Sequence, residues 1–114
     1  MRLRKIEAYI REERLDNVRS ALEQAGFTGM SVVEAKGRGD QKGLALPGRK
    51  GAFRIEFLPK ILVILVVKDE DYPRAIEAII QASNSGRPGD GKIFVSTVDE
   101  VIRIRTGKVG AEAL

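Results

Sequence analysis

The sequence predicts an α+β fold, a ferredoxin-like βαββαβ sandwich, on three observations. Strand-like and helix-like hydrophobic patterns succeed each other as strand, helix, strand, then strand, helix, strand, so the second half repeats the order of the first. An apolar run rich in β-branched residues, "ILVILVV", sits where a buried central strand is required. The 114 residues hold one ordinary core and too little chain for a second, so 1–114 is read as a single domain.

Each element follows from its residues. Ile6, Ala8 and Ile10 alternate with Lys5, Glu7, Tyr9 and Arg11, which makes Arg4–Arg11 a half-buried strand. Leu15, Val18, Leu22 and Ala25 recur at helical spacing, and Gly26 is the stop. Met30, Val32 and Val33 mark a second strand running to Lys36. The third strand lies within Phe53–Val67. Tyr72, Ala75, Ile76, Ile79 and Ile80 form a second amphipathic helix closed near Gly86, and a strand follows at Ile93–Ser96. Val101, Ile102 and Ile104 read as a short further strand or strand extension, whose alternation sets Arg103 and Arg105 on one face. The polar tail from Thr106 to Leu114 has no assignment.

Between the second and third strands lies "KGRGDQKGLALPGRKGAFR", Lys36 to Arg54, with five of the chain's twelve glycines. A loop beyond about 12–15 residues in a compact domain is usually functional or disordered, because core burial does not offset its ordering entropy. Its six positive charges against Asp40 account for more than the whole net charge of +4, leaving −1 for the rest of the chain. Nucleic-acid binders more often spread basic residues over a helix or sheet face and interleave aromatics. A charge concentrated on one loop fits an anionic small ligand or a protein partner, so no nucleic acid is expected. The absence of cysteine and histidine removes disulfides, thiolate catalysis and the commonest general base and metal ligand. With no apolar run of eighteen residues and no signal-like apolar stretch at the N-terminus, a cytoplasmic protein is expected.

Chemistry is expected in three segments: the long loop, "GRPGDGKIF" and "VIRIRTG". Backbone N–H groups in glycine turns surround phosphate oxygens at close range, and Lys and Arg supply the opposing charge. Each signal has a plainer reading as well. "GDG" is more often a tight turn, and Arg103 and Arg105 are equally a solvated strand face. Gly37, Arg38 and Gly39 follow a strand but open no clear helix, which excludes a dinucleotide fold.

"KIEA", "GRGDQKG", "FLPK" and "GRPGDGKIFVSTVDEVIRIRTG", in that order and spacing, resemble the PII nitrogen-signalling family from Lys5 to Gly107. The resemblance implies a cytoplasmic homotrimer with ATP or ADP in clefts between subunits and a long flexible T-loop, here about 37–55. It also implies a phosphate-binding B-loop at about 84–92 and a C-terminal loop at about 103–114. The nucleotide-binding residues it implies are Ser31, Gly37, Arg38, Gly39, Gln41, Ile64, Gly89, Asp90, Gly91, Lys92, Arg103 and Arg105. Gln41 would also hold Mg²⁺ with ATP, and Gln41, Lys60 and Arg11 would meet 2-oxoglutarate. Lys42, Leu44, Leu46, Arg49, Lys50, Phe53 and Arg54 would face a transporter, channel or metabolic enzyme, with any membrane contact made only through that partner.

The chain also departs from the family's pattern. Phe53 stands where many bacterial relatives carry a nucleotidylated tyrosine, and Gly51 where cyanobacterial ones carry a phosphorylated serine. Neither residue has a hydroxyl to modify. "LALPGRKGAF" makes the loop tip more basic than the usual "HTELYRGAEY". Arg38 and Asp40 alter the familiar "GFGRQKG" toward the form of PII proteins encoded with nitrogenase, and Ile64 replaces a glutamate that pairs with the B-loop lysine in relatives. Arg11-Glu12 replaces a lysine-proline pair. The expected function is a non-enzymatic sensor. The alternatives are one retuned to adenylate energy charge or to another small anion such as bicarbonate, and a weak ATPase.

Overall fold

The computed structural model describes residues 2–37 and 58–114. Strand β1 is Leu3–Ile10, helix α1 Leu15–Gln24, β2 Ser31–Gly37, β3 Leu58–Lys68, α2 Tyr72–Ser83 and β4 Gly91–Val98. The strands form one antiparallel sheet in the order β2-β3-β1-β4, with the first and third strands central. This is the expected βαββαβ sandwich.

Register explains how the sheet divides into two faces. Ile6, Ala8 and Ile10 of β1 lie opposite Leu65, Val63 and Ile61 of β3, and all six are buried. Val18 and Leu22 of α1 and Ala75 and Ile79 of α2 complete this core, so both helices cover the same face. Helix α1 stops at Gly26, which has φ 95°. There the Phe27 N–H donates to the Leu22 carbonyl and the Gly26 N–H to the Glu23 carbonyl, while Phe27 joins the core beside Leu22. Such a left-handed cap satisfies the last carbonyls and turns the chain toward β2. At the start of α2, Pro73 occupies a position whose N–H has no intrahelical partner.

The other sheet face has no layer over it among the described residues. Alternation brings Tyr9, Glu7, Leu62, Ile64, Val66, Val33 and Phe94 to it, with Val33 46% and Phe94 53% exposed. Tyr9 and Phe94 meet edge to face at 6.1 Å between ring centroids.

One expectation needs correction. Val101–Ile104 is not a strand: only Ile102 bridges Val109, and the chain turns tightly between them, with the Arg103 N–H on the Lys108 carbonyl and the Gly107 N–H on the Arg103 carbonyl. Alternation across "VIRIR" therefore does not fix a common face for Arg103 and Arg105. The apolar residues responsible for the strand pattern, Ile102 and Ile104, are 57% and 100% exposed, so no core burial holds this segment extended. The tail is also more ordered than its polarity implies, ending in a 3-10 turn at Gly110–Ala113 with Ala113 buried. The third strand, expected within Phe53–Val67, is Leu58–Lys68; the earlier part of that range falls on residues outside those described.

Gly91 is demanded by geometry. It has φ 110°, and a Cβ there would lie 1.7 Å from the Tyr9 carbonyl oxygen. Gly91→Ala is therefore expected to destabilise the protein by more than about 2 kcal/mol in urea unfolding. Gly29→Ala, where a Cβ meets nothing within 4 Å, is expected to leave stability unchanged or slightly raised. Equal effects of the two substitutions would contradict this.

Candidate ligand-binding site

The ends of β1 and β2 and the beginnings of β3 and β4 lie at one edge of the sandwich, and the segment joining α2 to β4 folds across them. Asp90 organises that segment. Its carboxylate accepts from the Ser85 N–H at 2.7 Å, the Gly86 N–H at 3.0 Å, the Ser85 hydroxyl, and Arg11 Nε at 3.1 Å. A second Arg11 nitrogen donates to the Pro88 carbonyl at 2.7 Å. Lys60 rises from β3 under the same segment and donates from Nζ to the Gly89 carbonyl. Gly37 ends β2 directly beside it, where a Cβ would stand 3.3 Å from Lys60 Cγ.

The charges of this edge are set by these contacts. The Ser85 hydroxyl, the Ser85 and Gly86 N–H groups and Arg11 hold the Asp90 carboxyl well below the usual carboxylate range, although burial opposes them. Lys60, only 8% exposed, has its pKa lowered first by burial and then by the Arg11 charge, with Asp90 and Glu13 partly compensating. Two cations thus converge on three successive residues, Pro88, Gly89 and Asp90, and among the described residues only Arg11 of the two is in ion-pair contact with a carboxylate. Such an edge suits an incoming anion.

Of the expected site residues, Arg11, Gly37, Lys60, Gly89, Asp90 and Gly91 come together here, and Lys92 follows as the second residue of β4. Four others do not. Ser31 starts β2 opposite Ile64 in the middle of β3, and both line a second cleft with Phe27, Arg74 and Leu114. Arg103 belongs with that cleft, because its guanidinium donates to the main-chain oxygen of Leu114 at 2.7 Å. Gly37 is six residues along β2 from Ser31, roughly 20 Å at a strand's rise per residue. Arg105 is exposed in the turn after Arg103. Arg38, Gly39, Gln41, Lys42, Leu44, Leu46, Arg49, Lys50, Phe53 and Arg54 lie outside the described residues.

The sequence placed Ser85, Gly86 and Pro88 within the expected B-loop, about 84–92, but gave them no individual roles. The signal was present in "NSGRPGDG": Asn84 accepts the Gly86 N–H and Ser85 the Arg87 N–H, the local side-chain turns expected of such residues before glycine. No group of three or more acidic, His or Cys residues placed to hold a metal occurs among the described residues.

A family model described as "Nitrogen regulatory protein P-II" matches residues 3–108. Nitrogen regulatory protein P-II of Rhizobium meliloti (strain 1021) is 50% identical over 112 residues, 98% of this chain and 100% of that protein. The Azospirillum brasilense protein of the same description is 49% identical over the same shares. Nitrogen regulatory protein P-II 2 of Methanothermobacter thermautotrophicus is 47% identical, over 98% of this chain and 97% of its own. Among solved structures, Arabidopsis thaliana PII bound to citrate superposes with a TM-score of 0.81 at 35% identity, covering 99% of this chain and 92% of that one.

Because the carboxyl of Asp90 titrates lower in the folded chain than in the unfolded one, its contribution is complete above about pH 4 and is lost as pH falls through the depressed value. Asp90→Asn is expected to lower stability at pH 7 by about 1 kcal/mol and to flatten the loss of stability on acidification below pH ~4. Urea unfolding of both proteins as a function of pH checks this, and parallel curves would contradict it.

Proposed function

We propose that this chain, which belongs to the nitrogen regulatory protein P-II family, is a non-enzymatic homotrimeric sensor of ATP, ADP and 2-oxoglutarate. It binds the nucleotide in clefts between subunits and 2-oxoglutarate together with Mg²⁺-ATP, and it regulates a transporter, channel or metabolic enzyme through residues 37–55. The observation that carries this reading is the separation of the two residue groups. Lys60, Gly89 and Gly91 cluster at one edge, while Ser31, Ile64 and Arg103 belong to another cleft. A single nucleotide reaches both groups only if a second copy of the chain brings its cleft to the first copy's edge.

The uncovered sheet face supports assembly. Leu62, Ile64, Val66, Val33 and Phe94 form the kind of contiguous apolar surface that soluble monomers seldom leave in water. Lys60 supports an acidic effector, since a buried ammonium gains most from a carboxylate partner. The Arabidopsis thaliana neighbour is bound to citrate, a polycarboxylate, and the same chemical class suits Lys60 here. A hydrolytic role is disfavoured by the state of Asp90, whose lone pairs are taken by four donors and are thus not available for general-base work. No helix among the described residues is long and apolar enough to cross a membrane.

A reading retuned away from 2-oxoglutarate rests on Ile64, which puts no acid opposite Glu7 on the open face and leaves Lys92 without that partner. Calorimetry separates the two. The sensor reading predicts saturable binding of Mg²⁺-ATP and of ADP, and 2-oxoglutarate binding with Mg²⁺-ATP but not with ADP. Nucleotide binding with no 2-oxoglutarate response favours the retuned sensor, to be tried with bicarbonate. No binding of either nucleotide at millimolar concentration overturns both. Light scattering is expected to give three times the chain mass.

A further inference from the structure

We infer that Arg11 and Lys60 are positioning residues that fix the direction of two successive peptide groups, 88–89 and 89–90, so that their N–H bonds point outward as an anion-binding pair. In a planar trans peptide the carbonyl and the following N–H point in opposite directions. Arg11 draws the Pro88 carbonyl inward at 2.7 Å, which sends the Gly89 N–H away from the protein. Lys60 draws the Gly89 carbonyl inward, which sends the Asp90 N–H the same way. No described residue accepts from either N–H. Gly89, at φ 98°, is the residue that makes this conformation accessible. The Asp90 carboxylate holds Arg11 Nε at 3.1 Å, so its charge is paired within the loop.

This assigns Arg11 a role different from that of a keto-acid ligand: both of its bonded nitrogens are committed to the loop. Lysine in its place has a single ammonium and cannot span Asp90 and Pro88 with a planar two-armed group. The ligand chemistry is a phosphate group. That it belongs to ATP or ADP rests on the proposed function, whereas the orientation of the two peptides does not.

The probe is therefore pyrophosphate, titrated into the full-length protein while amide resonances are followed by NMR, with ATP and ADP titrated in parallel. The Gly89 and Asp90 amides are expected to move saturably in the parent protein. In Arg11→Gln the pyrophosphate dissociation constant is expected to rise roughly tenfold, the order of losing charge-assisted hydrogen bonds, with the resonances of both helices unmoved. Arg11→Lys is expected to fall between the two. Should Arg11→Gln fail to fold, the parent's amide pattern and the Arg11→Lys titration decide. A response to pyrophosphate without ATP or ADP binding upholds the peptide orientation and sinks the nucleotide reading. Ligand binding that leaves the Gly89 and Asp90 amides still, or Arg11→Gln binding as tightly as the parent, overturns the inference alone.

Discussion

One carboxylate holds the functional edge of this protein together. Asp90 accepts two backbone N–H groups, a hydroxyl and a guanidinium, and through Arg11 it ties the segment between α2 and β4 to the end of β1. Without that anchor, a chain reading Ser-Gly-Arg-Pro-Gly-Asp-Gly has few side chains to bury and little to oppose its conformational entropy. With it, the glycines keep their permissive backbone yet occupy one conformation. Gly91 extends the same constraint into the sheet, since its missing side chain admits the Tyr9 carbonyl.

The sheet imposes the second constraint. Both helices pack on one face, and β3, apolar on both of its faces, leaves Leu62, Ile64 and Val66 turned toward solvent. A strand of this kind is the pattern of an element buried on both sides. In the proposed assembly, another copy of the chain over the open face would bring Ser31, Ile64 and Arg103 toward a ligand seated at Lys60 and Gly89, so that one surface would serve both assembly and ligand binding.

Much of this was legible in the sequence, for identifiable reasons. Alternation in β1 and helical spacing in α1 and α2 follow directly from which face each element buries, and Gly26 marked the stop of α1. "VIRIR" misled because alternation is only a strand signal where one face is buried, and here Ile104 is wholly exposed. The tail was unreadable because Ala113 is small and no side-chain pattern announces the turn that brings Gly110 back to Val101 and Ile102 to Val109. Gly89 and Gly91 were singled out by the glycine-and-cation pattern of "GRPGDGKIF", whereas Lys60 came only from the resemblance of "FLPK". What could not be read was the division of labour: Asp90 and Arg11 look like ligands in one dimension, and only their mutual geometry turns them inward. Ser85 received no role of its own for the same reason, since its hydroxyl acts within the loop.

The most direct test of a ligand site shared between subunits is complementation between two defective variants. Gly89→Asp places an acid where phosphate is expected, and Arg103→Glu reverses the charge beside the second cleft. Each variant alone is expected to lose nucleotide binding. A cyclic trimer containing both retains one intact pairing of edge and cleft, so co-assembled mixed trimers isolated with two affinity tags should bind one nucleotide each. Mixed trimers that bind none, or a single variant that binds as the parent does, would contradict the shared site.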